Sequence, residues 1–221
     1  MSKENKKIEL LENQLINQTN VIVRNSRPED AERIAELARL CFDPPEIAFS
    51  KENFESQIDH FPEGQFCVEL NGEIIGSCSS VIVDIEDYPK HHTLVEISDN
   101  GNIKNHNPNG KNLYGIDVIV HPKFRGLKIG KNLYNVRGKL CKNLGLHSVV
   151  FGGRIPNYYK YADQMTADDY VGEVIKKKIM DPVLTFQLNN GFQYKYILPN
   201  YISMDHESLY FATFMEWVNR I

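Results

Sequence analysis

The chain has 221 residues, with 25 Lys and Arg against 29 Asp and Glu, which gives a formal net charge of −4. Apolar residues make up 42% and charged residues 24%, values that exclude general disorder and a collagen-like repeat. The longest stretch without a charged residue, 182–194, is too short and too polar to span a membrane. Because the charge is balanced, we expect neither nucleic acid nor a membrane as a partner.

Cysteine usage and the first residues indicate the compartment. The four cysteines occur singly, with no C-x-x-C pair: Cys41, Cys67, Cys78 and Cys141. They are typical of free thiols in a reducing compartment. The start, Met-Ser-Lys-Glu-Asn-Lys-Lys, is too polar for a secretory signal peptide. We therefore expect a cytoplasmic protein.

The chain divides into an N-terminal helical extension, 1–20, and one domain, 21–221. The extension has a narrow apolar seam at helical spacing, formed by Ile8, Leu11 and Leu15. We expect this seam to dock on the chain's own domain or on a second copy, and the second alternative implies a homodimer.

The first part of the domain predicts a strand and two helices. Residues 21–24 read as the strand, and Ser26-Arg-Pro-Glu29 opens a helix that stops before Pro44, with the Ser26 hydroxyl as its cap. The second helix covers 50–60 and is capped by Ser50.

A meander of two strands follows, 65–70 and 74–85, joined by an Asn-Gly hairpin turn. The polar stretch 88–111 contains two further Asn-Gly pairs. We interpret it as an extended hairpin or lid, inserted in the domain at about 86–111.

The centre of the chain reads as strand, turn, helix and strand. The strands are 113–120 and 147–151, and Gly145 ends the helix between them. This order is typical of a crossover between parallel strands, so the sheet is predicted to be mixed. A second insertion covers about 154–181, with a helix capped by Thr166. A helix from Asp181, a strand at 192–198 and a closing strand complete the prediction.

The turn after the central strand has the chemistry of an anion site. Its strand delivers the chain through a glycine-containing turn into a helix, whose first amides have no intrahelical partner. Arg125, Lys128 and Lys131 add positive charge around it, which suits a diphosphate. Neither G-x-x-x-x-G-K-[ST] nor G-x-G-x-x-G after a strand is present, so the pattern does not indicate a nucleoside triphosphate or dinucleotide.

Here the chain resembles the GNAT superfamily of N-acetyltransferases. The motif is Val120-His-Pro-Lys-Phe-Arg125 followed by Gly130, and Asn190-Gly191-Phe192 stands near the expected penultimate strand. It is also similar to the acetyltransferase-like domain fused to carbon–nitrogen hydrolases in some bacteria. That similarity rests on the segments 113–117, 152–156 and 181–192.

The resemblance implies an α/β (α+β) fold, with a mixed, mostly antiparallel sheet flanked by helices and a V-shaped strand opening for coenzyme A. It implies acetyl-CoA as co-substrate, bound along the central strand, in the following turn and after the next strand. The residues so implied are Val118, Ile119 and Val120 for pantetheine, Arg125, Gly126, Leu127, Lys128, Ile129, Gly130 and Lys131 for the diphosphate, and Asn157. Lys128 stands where the family has its first glycine, and we expect its side chain to reach the phosphates rather than to crowd them.

Catalytic residues are less well indicated. A neutral amine needs a base, because an alkyl amine is protonated at neutral pH. Asp117 on the central strand is the first candidate and His121 the second, although Asp117 could equally be a structural carboxylate. Many relatives protonate the leaving thiolate with a tyrosine at the position of Gln187. The donor would then be Tyr158, Tyr159 or water.

The sequence therefore predicts an acetyl-CoA-dependent N-acetyltransferase that acts by direct transfer on a small-molecule or peptide amine. The alternative is a non-catalytic acyl-CoA-binding sensor or regulatory module, and a third reading, a partner of a hydrolase, rests on the fusion resemblance and the apolar seam. We expect no metal, because four histidines have no ligand spacing: His91, His92, His106 and His121.

Overall fold

The computed structural model describes residues 21–220, so the helical extension predicted for 1–20 lies outside the described residues. Seven strands form one sheet. They are β1 (Val21–Asn25), β2 (Phe66–Leu70), β3 (Glu73–Val83), β4 (Asn112–Val120), β5 (Ser148–Arg154), β6 (Gln193–Leu198) and β7 (Ala212–Val218).

Six α-helices accompany the sheet in the described part of the chain. They are α1 (Ala31–Cys41), α2 (Lys51–His60), α3 (Leu94–Ile97), α4 (Ile129–Asn143), α5 (Ala167–Ile175) and α6 (Pro182–Asn189). No helix among residues 21–220 is long and apolar enough to cross a membrane.

The strand order is β1-β2-β3-β4-β5-β7-β6. Every neighbouring pair is antiparallel except β4 and β5, which run parallel. The predicted mixed, mostly antiparallel sheet is therefore confirmed. Since α4 connects β4 to its parallel neighbour, the predicted strand–helix–strand crossover at the centre of the chain is present.

Helices cover both faces of the sheet. On one face, α1 and α2 pack against Ile74 and Ile119. On the other, Ile129 and Leu133 of α4 pack with Ile75, the residue that follows Ile74. Because adjacent residues of a strand point to opposite faces, this alternation places the two clusters on opposite sides of the sheet.

The helix starts follow the sequence, with one difference. Ser50 accepts a hydrogen bond from the Asn53 amide, and Thr166 accepts one from Asp169, as their cap positions predict. The expected cap at Ser26 is wrong. The Asp30 carboxylate instead accepts from the Arg27 amide at 2.8 Å, because it is already fixed by the Arg24 guanidinium.

The segment 84–111 is not the hairpin that its composition suggested. It contains a 3₁₀ turn, helix α3 and a series of turns, and it packs into the main core through Ile97 and Ile103, which are fully buried. Its polar residues serve the turns themselves, for example Ser98, whose hydroxyl accepts from the Gly101 amide at 2.9 Å. Polar composition here therefore reflects local hydrogen bonding rather than an exposed lid.

Candidate active site

A cleft opens where the two parallel strands part. Strands β4 and β5 pair only from Asn112 with Ser148 to Tyr114 with Val150, and then diverge. The cleft between them has a volume of about 980 Å³ and is lined by both strands, by the start of α4 and by α6. Beyond Tyr114, β4 has no strand beside it on this side. Every second residue of β4 therefore offers its main-chain N–H and C=O to the cleft rather than to a neighbouring strand.

A bulge in β4 sets which side chains face which side of the sheet. Ser79 pairs with Asp117 and Ser80 with Gly115, so Ile116 is an extra residue in the ladder. As a result Val118 and Val120 join the cluster under α4, whereas Ile119 joins the cluster under α1. Asp117 shares the parity of Ile119 and lies on the α1 side of the cleft.

The Asp117 carboxylate is held by the neighbouring strand. Its Oδ1 accepts a hydrogen bond from the Ser79 amide at 2.9 Å, while Oδ2 is buried without a hydrogen-bond partner among the described residues. Burial raises the pKa of Asp117 to about 6, although Arg137 and the Ser79 amide favour the charged form. Asp117 lines the cleft and is ionised above that pH.

Arg137 of α4 stabilises the bulge from the other face. Its Nη2 donates to the carbonyl of Ser79 at 2.8 Å and to that of Asp117 at 2.6 Å, and its Nε donates to the Ser80 hydroxyl at 3.0 Å. A Cβ on Gly115 would lie 2.8 Å from Nη1, so the glycine gives the guanidinium its space. The sequence does not indicate this residue, because a lone arginine on a helix carries no signal of burial.

We call residues 125–131, at the start of α4, the anion turn, after the role that the sequence predicts for them. Gly126 has a φ of +89°, and Lys128 at the N-cap has a φ of +60°, the left-handed conformation that favours glycine. Lys128 thus adopts the backbone that the family's glycine would supply. No side chain of the described residues caps this helix. The amides of Ile129, Gly130 and Lys131 are therefore left for an anion.

The structure brings most of the predicted cofactor-binding residues to the one cleft. Those that line it are Val118, Ile119, Val120, Arg125, Gly126, Lys128, Ile129, Gly130, Lys131 and Asn157. Leu127 instead packs with the apolar cluster under α4. The Asn157 side chain is engaged at both ends, donating to the Met180 carbonyl and accepting from Lys160, so it fastens the loop after β5 to the segment before α6.

Gln187, at the position where many relatives have a tyrosine, lines the cleft. Gln187 lies against Gly153, where a Cβ would come within 2.3 Å of its Oε1, and that oxygen has no partner within residues 21–220. Burial raises the pKa of Tyr134 on α4 to about 12, and Gln187 opposes this rise. Tyr134 lines the cleft and was not identified from the sequence. Its position four residues after Gly130, on the same face of a helix that begins in the predicted anion site, is the signal that could have found it.

The structure does not support the proton donor suggested from the sequence. Tyr158 is buried away from the cleft, packs against Tyr170 and Phe211, and donates its hydroxyl hydrogen to the Met165 carbonyl at 3.2 Å. The loop after β5 turns this ring into the core, so its place next to a cleft-lining strand was misleading. Its neighbour Tyr159 lines the cleft and is half exposed.

His121 serves the turn after β4. Its Nδ1 accepts a hydrogen bond from the Lys123 amide at 3.1 Å, which caps the 3₁₀ turn of Pro122–Phe124.

Within residues 21–220, no group of three or more potential ligands could hold a metal ion. Burial raises the pKa of the Cys67, Cys78 and Cys141 thiols to about 11, which keeps them protonated.

The α1 side of the cleft is mostly apolar. Residues from the loop before α2, from the start of α3 and from the loop after β6 form this wall: Phe42, Ile47, Phe49, Leu94, Tyr201 and Ile202. Charged groups at its edge include Arg154, which is bound to Asp205 and Glu207. This part of the cleft wall therefore offers mainly apolar contacts.

A family model described as the acetyltransferase (GNAT) family matches residues 31–160, more than half of the chain and the part that holds β4 and the anion turn. The chain belongs to the GNAT acetyltransferase family. The match confirms the resemblance seen in the central motif.

Two relatives from Bacillus subtilis (strain 168) are similar in sequence to this GNAT protein over most of its length. It is 42% identical over 200 residues to "Uncharacterized N-acetyltransferase YkwB", covering 89% of this chain and 88% of the relative. It is 50% identical over 199 residues to "Probable hydrolase YhcX", covering 90% of this chain but only 39% of the relative. The similarity to a domain within a larger hydrolase, expected from the sequence, is therefore found in YhcX. This chain spans only 39% of the length of that protein.

Solved structures share the fold over nearly the whole chain. The loading GNATL domain of CurA from Lyngbya majuscula aligns with a TM-score of 0.80 at 22% identity, over 90% of this chain and 97% of that one. The GphF GNAT-like decarboxylase, in complex with isobutyryl-CoA, aligns with a TM-score of 0.79 at 21% identity, over 90% and 100%. At these identities the likeness establishes the fold.

Proposed function

We propose that this GNAT protein transfers the acetyl group of acetyl-CoA directly to the amine of a small molecule or peptide. The observation that supports this most is that one cleft is lined both by the anion turn and by Asp117. A carrier held by its diphosphate at the turn and extended along the open edge of β4 would bring its thioester toward the bulge. The residues present fit such a carrier.

The anion turn would hold the diphosphate through main-chain amides and three cations. The amides are those of the first turn of α4, and Arg125, Lys128 and Lys131 line the same end of the cleft. Charge-assisted hydrogen bonds of this kind are stronger than neutral ones. The free main-chain groups of residues 118–120 would pair with the two amides of pantetheine, as a neighbouring strand would.

Asp117 would act as the base for the acceptor amine. Because its Oδ1 is bound to Ser79 and its Oδ2 is covered, the contact is expected to run through a bridging water rather than directly. With a pKa of about 6, the carboxylate is ionised at neutral pH, so it can accept a proton from the amine and then release it to solvent. Main-chain N–H groups of β4 near Ile119 would stabilise the oxyanion. No covalent enzyme intermediate is needed.

Release of coenzyme A from acetyl-CoA tests this proposal. A thiol-reactive dye would follow the reaction with a panel of amino acids, polyamines, aromatic amines and short peptides. Release that depends on the amine, with an acetylated product seen by mass spectrometry, supports direct transfer. Tight acetyl-CoA binding with no release on any amine would contradict it and favour an acyl-CoA sensor.

A second candidate function is decarboxylation of a carboxyacyl-CoA, since the GphF structure is named a GNAT-like decarboxylase in complex with isobutyryl-CoA. The specific observation is Arg137, a buried guanidinium that lines the cleft. Within residues 21–220, its hydrogen bonds go to neutral oxygens and not to a carboxylate, so its positive charge would suit the carboxylate of such a substrate. Incubation with malonyl-CoA distinguishes the two functions. Conversion to acetyl-CoA without added amine favours decarboxylation, and intact malonyl-CoA contradicts it.

A further inference from the structure

Three buried side chains form a hydrogen-bonded row from the core to the cleft. The His92 Nε2 lies 2.9 Å from the Tyr114 hydroxyl, and the Tyr114 hydroxyl lies 2.9 Å from the Tyr201 hydroxyl. His92 is 1% exposed and Tyr114 is fully buried. Tyr201 lines the cleft, so only this end of the row can meet a substrate.

The main-chain carbonyl of Pro89 fixes the direction of these hydrogen bonds. His92 Nδ1 lies 3.0 Å from that oxygen, and a carbonyl can only accept, so Nδ1 carries the proton of the neutral ring. The Nε2 therefore accepts from the Tyr114 hydroxyl, and the Tyr114 oxygen in turn accepts from Tyr201. In this resting state the Tyr201 oxygen offers a lone pair, and not a proton, at the cleft wall.

The position of Tyr201 is tightly determined. Its ring lies against Gly152, two residues after the last β5 residue that pairs with β4, and a Cβ on this glycine would come within 2.2 Å of Cζ. Its main-chain amide donates to the Tyr210 carbonyl at 2.8 Å, and its carbonyl accepts from the Leu94 amide at 2.9 Å. The hydroxyl is therefore held where the two parallel strands part, next to the expected place of the thioester.

The surroundings of His92 favour the neutral ring. Desolvation lowers its pKa below the usual value, and His91 acts in the same direction, while Glu96 and the Pro89 carbonyl oppose the shift. Aromatic rings of Tyr88, Tyr114, Tyr201 and Phe214 surround it. A proton placed on Nε2 would therefore be released readily to a stronger base.

We propose that His92, Tyr114 and Tyr201 form a proton relay that takes one proton from the acceptor amine and returns it to the leaving thiolate. The proposal rests on the acyl-transfer function. It supplies the donor that Gln187 cannot be, since the relay reverses direction once His92 is protonated. Tyr201 is the catalytic residue, because it touches the substrate, and Tyr114 and His92 act through it.

The protons balance as follows. An ammonium ion loses its first proton through Asp117 to solvent, and the neutral amine then forms a C–N bond to the thioester carbon. The second proton passes to the Tyr201 oxygen while the Tyr201 proton moves to Tyr114 and the Tyr114 proton to His92 Nε2. The C–S bond breaks, and the reverse movement gives the thiolate this proton, because a thiolate of pKa about 8.5 is the stronger base. The products are the amide and the free thiol.

The test compares Tyr201→Phe, Tyr114→Phe and a matched control, Tyr88→Phe. The control removes a hydroxyl that accepts from Asn105 at 2.7 Å beside His92, but it leaves the relay intact. The substrates are acetyl-CoA and the amine of the panel that gives the fastest release with the wild type. We expect kcat to fall about 100-fold for Tyr201→Phe and at least about 10-fold for Tyr114→Phe. The KM for acetyl-CoA should stay within about twofold.

A proton inventory in mixed H₂O and D₂O separates the relay from a structural role. The wild type and the control should show a curved dependence of kcat on deuterium content, because several protons move together, and Tyr114→Phe should show a straight one. Unchanged kcat and unchanged curvature in both relay variants of an active protein would overturn the relay alone. A wild type that binds acetyl-CoA but acetylates no amine would overturn acyl transfer itself, and the relay with it.

Discussion

The guanidinium of Arg137 donates a 2.6 Å hydrogen bond to the main-chain carbonyl of Asp117, the candidate base. The same nitrogen donates to Ser79 across the bulge, so one side chain satisfies two carbonyls that the irregular ladder leaves without regular partners. The position of the Asp117 carboxylate therefore depends on a helix residue 20 positions later in the chain.

We predict that Arg137→Lys destabilises the protein by about 2–4 kcal/mol, because an ammonium group cannot reach all three acceptors and leaves buried carbonyls unpaired. Urea unfolding measures the change. Arg39→Lys on α1, an exposed arginine paired with Glu32, is the control and should change stability by less than about 0.5 kcal/mol. Equal stability of the two variants would show that Arg137 does not stabilise the bulge.

Replacing the base should abolish most turnover. Asp117→Asn should lower kcat by about 10²-fold or more, since the amide accepts no proton. In the wild type, burial raises the Asp117 pKa to about 6, so kcat should decline as the pH falls through 6 and the carboxylate takes up a proton. The pH–rate profile of the wild type and of Asp59→Asn, an exposed control on α2, measures this. A flat profile from pH 5 to 8 would contradict the assignment.

Two glycine substitutions should have opposite effects. Gly152→Ala forces the Tyr201 ring away from β5 and should lower both stability and kcat, because a Cβ would overlap the ring. Gly138→Ala lies within α4 with open space around it, and it should stabilise the protein by about 0.5–1 kcal/mol. Thermal unfolding and coenzyme A release measure both variants. Full activity of Gly152→Ala would remove the case for a fixed Tyr201.

The anion turn is tested by two lysines of the same helix. Lys131→Glu, in the first turn of α4, should weaken acetyl-CoA binding about 10-fold or more because it places a negative charge beside the diphosphate. Lys139→Glu makes the same charge change two turns later, where the side chain is exposed and outside the cleft, and it should leave the affinity within about twofold. Equal losses in both variants would indicate a general effect of charge rather than a diphosphate site.

The centre of the fold could be predicted because its signals are local. An apolar strand, a glycine-containing turn and an amphipathic helix are continuous from Leu113 to Leu140, so one segment carries both the crossover and the anion turn. The caps at Ser50 and Thr166 were equally local. For these parts, the chain's nearest neighbours in sequence are also its partners in space.

The remaining features depend on contacts between distant residues. Nothing near Tyr114 indicates that it meets His92, 22 residues before it, and Tyr201, 87 residues after it. The β4 bulge has no local signature either, since it is stabilised by Arg137. The hairpin expected at 88–111 was wrong because its polar residues bond within the segment, and Tyr158 was misplaced because a loop, unlike a strand, does not fix the direction of a side chain.

Isothermal titration calorimetry of the wild-type protein with acetyl-CoA is the most direct test of the site. We predict saturable 1:1 binding that free coenzyme A competes with. Higher salt should weaken this binding, because cations and helix amides hold the diphosphate. Pantetheine, which has the thiol arm of coenzyme A but no diphosphate, should bind at least about 100-fold more weakly. No binding heat with folded protein, or equal affinity for pantetheine and coenzyme A, would contradict the anion turn as the anchor of the donor.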